Sequence, residues 1–226
     1  IFYIFAFIAM FYMAYNLRRL FTVNIGKSEK HRPLSFSSQV YNALSFGAGQ
    51  RKVFSKRFTY ASIMHFLMAW GFLELLFATT VDFFTARGWL LEYLPGFDTP
   101  WFAFLNDTGG MMLTVGCIMA LIRRHGNKPE ILPQNNFKGR GSFLGDSGIL
   151  IFLIFLCIGG FITEAARLGI QQPATAHYSW VGYTISKIGN LEFWASVHDF
   201  TWWSHAIASL LFIAILPMTK MFHAIV

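Results

Sequence analysis

The chain has 226 residues, 55% of them hydrophobic and 13% charged, with 26 phenylalanines and a mean hydropathy of +0.47. Soluble domains carry about a quarter of their residues as charges, so this balance excludes one and points to a membrane protein. The formal charge of +7 does not require nucleic acid as a partner, because basic loops beside membrane spans account for it.

Five stretches, about 1–22, 58–84, 100–124, 145–171 and 194–222, are apolar enough and long enough to cross a bilayer. Backbone groups in lipid must satisfy one another, so the expected fold class is all-α: a five-helix transmembrane bundle forming one membrane domain over 1–226. A transmembrane barrel would show alternating segments of about ten residues, and none is evident.

The first stretch is already apolar at Ile1 and is long enough to span, which argues against a cleaved signal peptide. The loop at 23–57 carries Phe36, Val40, Leu44 and Phe46 at roughly helical spacing, then a basic run from Arg51 to Arg57. It reads either as an interfacial helix with a basic collar or as a solvated loop. The second span contains His65 and Glu74, and the third Asp107 and Cys117. The loop at 125–144 is rich in Gly, Asn and Pro and is expected to be irregular. The fourth span carries Cys157 and the pair Glu164 and Arg167, three residues apart and able to meet on one helix face. Segment 172–193, with His177, Trp180, Tyr183, Ile185 and Ile188, suits a short amphipathic lid. The fifth span holds His198, His205, Lys220 and His223. Val226 follows closely, and both ends look cut, so the expectation is a piece of a longer chain that continues after 226.

Short cytoplasmic loops retain Lys and Arg. Of the 18 basic residues only Arg87, Arg167 and Lys187 fall on the other side from the loops at 23–57 and 125–144, which places the N-terminus outside and the C-terminus in the cytoplasm. Of the 7 tryptophans, all but Trp70 lie near the predicted outer boundary, as an interfacial aromatic belt would. The expected location is the inner (cytoplasmic) membrane, as a multi-pass protein in contact with lipid.

Ionisable side chains within spans are costly and mark functional sites. His205 and His223 are eighteen residues apart, five helical turns and roughly 27 Å on a continuous helix. His65 stands about 10 Å from the cytoplasmic start of its span. Two ligands of one haem iron need nearly equal depth, and His65 with His223 matches better than His65 with His205. Bis-histidine ligation leaves no open coordination position, which suits an electron carrier. The plain alternatives are a hydrogen-bonded buried histidine at 65 and an interfacial one at 223. His205 is open among a hydrogen bond to a quinone carbonyl or relay carboxylate, ligation of a second haem, and a structural role. His198 shares its helix stripe, and Glu74 and Asp107 are candidate acceptors for a quinol proton. Cys117 and Cys157 form no iron–sulfur motif.

The fifth span, with Trp203-Ser204-His205 and then Leu216-Pro217-Met218-Thr219-Lys220-Met221-Phe222-His223, resembles the di-haem cytochrome b (gamma) subunit of respiratory nitrate reductase, as do His65 and Trp70-Gly71-Phe72. The resemblance implies that His65 and His223 hold a haem b near the cytoplasm and that His205 ligates an outer haem. Leu75 stands where the family has its second outer-haem ligand. Gly160-Phe161-Ile162-Thr163-Glu164-Ala165-Ala166-Arg167 and Arg123-Arg124-His125 look more like a branch of that family joined to heterodisulfide-reductase-like iron–sulfur proteins. Some of that branch are proposed to link electron-transfer flavoprotein to menaquinone.

The sequence thus reads as the quinone-reactive electron-transfer part of an oxidoreductase complex of the respiratory chain, with one haem b, a second left open, and quinone or menaquinone as substrate. Lys220 or the basic inner loops would meet the haem propionates. Its partner would be a cytoplasmic iron–sulfur domain or subunit. The alternatives are a proton- or ion-translocating membrane protein using a His/acid relay, and a cofactor-free anchor.

Overall fold

A computed structural model describes residues 2–24, 35–42, 45, 59–85, 96–126 and 145–219. Every regular element among them is helical: α1 (Phe2–Asn24), α2 (Phe36–Asn42), α3 (Thr59–Thr85), α4 (Pro100–His125), α5 (Gly145–Gln171), α6 (Trp180–Ser186) and α7 (Leu191–Ile215), with 3₁₀ turns at Ala176–Tyr178 and Leu216–Met218. Four helical segments are long and apolar enough to cross a membrane, Thr59–Thr85, Pro100–His125, Ser147–Gln171 and Leu191–Met218. The expected first span falls on α1, whose described apolar stretch is the shorter Ile4–Asn16. Of the expected interfacial helix only α2 is described. His223, Lys220, the loop at 127–144 and the basic run from Arg51 to Arg57 lie outside the described residues.

The helix ends follow local chemistry. Pro100 opens α4, where its missing N–H has no helical partner to lose. At the other end of α4, Arg123, Arg124 and His125 set positive charge against the helix dipole. The αL residue Gln172 (φ 45°) closes α5 by donating its N–H to the Leu168 carbonyl, and Pro173 prevents continuation. Asn190 caps α7, its side-chain oxygen accepting the Phe193 N–H at 2.9 Å. Pro217 has no N–H to donate and sits in the 3₁₀ turn that ends α7, leaving Thr219 extended. The expected single helix over 194–222 is therefore corrected: the α-helix starts at Leu191 and stops at Ile215, and five-turn spacing cannot be used to relate His205 to His223.

Glycines set the packing. A Cβ on Gly71 of α3 would stand 2.5 Å from the Leu113 nitrogen and 2.6 Å from the Gly109 carbonyl oxygen, and one on Gly116 would stand 2.6 Å from Met68 Cγ. Backbone touches backbone along the α3–α4 seam, the small-residue solution for helices that gain no hydrophobic drive in lipid. Helices α3, α4, α5 and α7 share a core of Phe72, Leu113, Cys117, Leu153, Cys157 and Phe212. On the far side of α7, α1 packs along it, and Tyr12 donates its hydroxyl to Met218 Sδ. Large side chains such as Phe11, Ile122, Phe155 and Phe200 face away from the bundle, as a lipid-facing surface requires.

Candidate functional site

His205 lies on α7 with its ring against α5. Cβ atoms added to Gly159 and Gly160 would meet its Nδ1 and Cε1, each at 3.3 Å. Two adjacent glycines thus form the recess that admits the imidazole between the helices. One turn further along α5, Thr163 donates its hydroxyl to the Gly159 carbonyl at 2.8 Å and to the Thr201 carbonyl at 3.2 Å, pinning α5 to α7. Within this recess the His205 ring is buried; the Leu156 backbone of α5 lies within reach of it, although Nδ1 makes no hydrogen bond of good geometry. An unsatisfied buried nitrogen calls for an explanation such as a ligand or water.

The rings of Phe72 on α3 and Phe212 on α7 meet edge to face with centroids 6.1 Å apart. His65 precedes Phe72 by two turns, and His205 precedes Phe212 by two turns on a helix running the other way. Each imidazole is therefore about 10 Å along its own helix from this contact, in opposite directions. His65 and His205 occupy different layers and do not meet. Leu75 packs with Phe72 in the shared core and offers no donor atom to a metal. His65 is half-buried on α3, and its expected partner His223 lies outside the described residues. Leu75 stands where an outer haem would need its second imidazole. With one ring nitrogen turned to the Leu156 backbone, the neutral His205 imidazole keeps a second nitrogen for one further hydrogen bond. Among the described residues no group of three or more His, Cys, Asp or Glu gathers as a metal site.

The other candidates divide. Glu74 lies against Gly109 of α4 with Oε2 buried and unpartnered, near the centre of α3. Asp107, half a turn from Gly109, is fully buried. Its Oδ2 accepts the Val181 and Gly182 N–H groups at 2.7 and 3.1 Å, holding the start of α6, while Oδ1 has no partner. His198 is turned aside: its Nδ1 lies 3.3 Å from Asp199 Oδ1, whose side chain is almost wholly exposed. It does not join His205.

Sequence reasoning treated Glu164 and Arg167 as a simple pair, whereas the structure makes them the centre of a cluster at the α6 end. Arg167 donates through Nε and Nη2 to the two Glu164 oxygens at 3.1 and 2.9 Å and through Nη1 to Asp98 at 2.7 Å and Gln171 at 3.1 Å. Ser179 donates its hydroxyl to Glu164 at 2.9 Å. The expected lid is α6 with its flanking turns, packed on α5 and fastened by a Trp194 Nε1 donation to the Ser186 carbonyl at 2.8 Å. In the sequence Gly71 and Gly160 stand out only within family-like motifs, and the packing role of the seam and recess glycines comes from the structure. Their signal was the adjacent pairs Gly109-Gly110 and Gly159-Gly160 inside helices, where glycine is otherwise unfavourable.

Against known proteins, the chain is 24% identical over 212 residues to a protein named EtfAB:quinone oxidoreductase from Syntrophomonas wolfei subsp. wolfei. The match takes in 88% of this chain but 28% of that relative, so the chain spans just over a quarter of the protein it resembles. No family model matches, and no solved structure matches. The likeness, together with the membrane-length helices, makes the chain similar to a quinone oxidoreductase and compatible with a membrane electron-transfer subunit.

Proposed function

We propose that this chain is the haem b membrane part of an oxidoreductase that exchanges electrons between a membrane quinone, such as menaquinone, and a cytoplasmic iron–sulfur domain or subunit. The observation that carries the reading is the similarity to a relative named as a quinone oxidoreductase, extending over 88% of the chain.

In this reading His65 and His223 hold one haem b near the cytoplasmic face, with Lys220 or the basic inner loops meeting its propionates. Such a haem supplies one-electron exchange when bound. The quinone head group lies beside His205, whose ring is held between α5 and α7. A neutral imidazole offers one donor and one acceptor nitrogen, so the His205 nitrogen not engaged with the Leu156 backbone either donates to a quinone carbonyl or accepts from a quinol hydroxyl. The Gly159–Gly160 recess fixes the ring, and the surrounding apolar side chains exclude water. Oxidation of a quinol yields quinone, two electrons for the partner and two protons.

A reduced-minus-oxidised visible spectrum of the purified full-length protein tests this, together with a count of haem per chain. The expected result is b-type bands at one haem per chain, reduced by an added menaquinol analogue. Absence of b-type bands would overturn the reading.

A further inference from the structure

Oxidation of a quinol at His205 leaves two protons in a buried layer, and the structure arranges carboxylates in order from that layer to the α6 end. Glu74 Oε2 is buried and unpartnered within the bundle. Asp107 follows, about 3 Å nearer the start of α4 than the Gly109 on which Glu74 rests. Its carboxylate is divided in use: Oδ2 holds the start of α6, and Oδ1, buried and unpartnered, remains available. The Glu164 side chain crosses the opposite face of Gly182, where an added Cβ would stand 2.7 Å from Glu164 Cγ. Asp107 and Glu164 therefore flank the same turn of backbone. Beyond them exposure rises in order, with the side chains of Glu164, Arg167 and Asp98 at 13%, 20% and 62%.

We propose that Asp107, through Oδ1, accepts the proton released by a quinol in the membrane and passes it by way of Glu164 to solvent at the α6 end. This rests on the quinone-reactive reading above and adds its proton outlet. The two quinol O–H bonds break in turn: the first proton moves to Asp107 and on to Glu164 and solvent, the second follows by the same Asp107 oxygen once it is empty, and the two electrons leave one at a time to the iron–sulfur partner or an added one-electron acceptor. Arg167 stays charged throughout and cannot relay the proton; it positions Glu164 with a two-pronged grip and keeps a carboxylate at the mouth. Glycine at 182 is required for this, because any side chain there would displace Glu164.

The test uses the full-length protein in lipid vesicles, with menadiol as the quinol probe. Asp107→Asn keeps an oxygen to accept the Val181 and Gly182 N–H groups but removes the proton acceptor. It is expected to slow menadiol oxidation about a hundredfold, in the range of a lost general base, with the haem spectrum unchanged. Glu164→Gln is expected to slow it less, and Asp107→Glu to restore part of the rate. A second readout does not depend on turnover: the infrared difference between quinone-oxidised and quinol-reduced protein should contain a deuterium-sensitive carboxyl band that Asp107→Asn abolishes. If Asp107→Asn retains both rate and band while Asp107→Ala loses the rate, Asp107 is only the anchor of α6 and the outlet is overturned. If the wild-type protein has its b-type bands but fails to react with menadiol, the quinone reading itself is overturned, and the outlet with it.

Discussion

Phe72 and Phe212 touch edge to face, 6.1 Å between centroids, and this contact separates His65 from His205. Because α3 and α7 run in opposite directions, the two histidines diverge from it, each by two turns. The consequence is that the two imidazoles stand at different depths of the bundle.

The first prediction follows from that separation. His65→Ala should abolish the b-type spectrum, while His205→Ala should leave it and lower the apparent affinity for a quinol, since His205 has no partner at Leu75 with which to hold iron. Visible spectra and menadiol titrations of the two variants check this, and loss of half the haem in His205→Ala would instead argue for two haems.

Gly160→Val should act like a mild His205 variant. The added branches enter the space within 3.3 Å of His205 Cε1 and turn the ring from its recess. Quinol oxidation should fall severalfold with the haem absorption retained.

The α3–α4 seam is the more fragile structural feature. At Gly71 even a methyl group must displace backbone atoms of Leu113 and Gly109, and no rotamer relieves that. Gly71→Ala should destabilise the bundle by about 1–3 kcal/mol, the usual range for overpacking, measured as a lowered Tm in detergent. A substitution at exposed Phe155 should leave the Tm nearly unchanged.

The α6 lid depends on buried charge. Arg167→Met leaves Glu164, with only 13% of its side chain exposed, without its cation. Removing one partner of a buried pair typically costs about 3–5 kcal/mol, and the remaining exposure of Arg167 places the expected loss toward the lower end. Faster proteolysis near 172–190 and a lowered Tm are the readouts. Trp194→Phe should have a smaller effect, about 1 kcal/mol, because it removes one hydrogen bond to Ser186 while retaining most of the ring packing.

What the sequence determined by itself was everything governed by local composition. Apolar runs long enough for a bilayer located α3, α4 and α5 to within a residue or so, because in lipid an apolar run has only the helix in which to satisfy its backbone. The Glu164–Arg167 pair was legible from its three-residue spacing for the same local reason. What only the tertiary structure decided was which faces meet. The glycine seam exists because Gly71 and Gly109, far apart in the chain, come into backbone contact; neither glycine is informative without the other. Asp107 could be named as an acid in a span, but its two different oxygens depend on α6 folding back across the end of α4. The spacing of His205 and His223 suggested a continuous helix, yet Pro217 brings no N–H, the last turn is 3₁₀, and the chain is extended at Thr219. The depth of His205 relative to His65 was fixed instead by two aromatic rings on antiparallel helices, a relation carried by packing rather than by spacing along the chain.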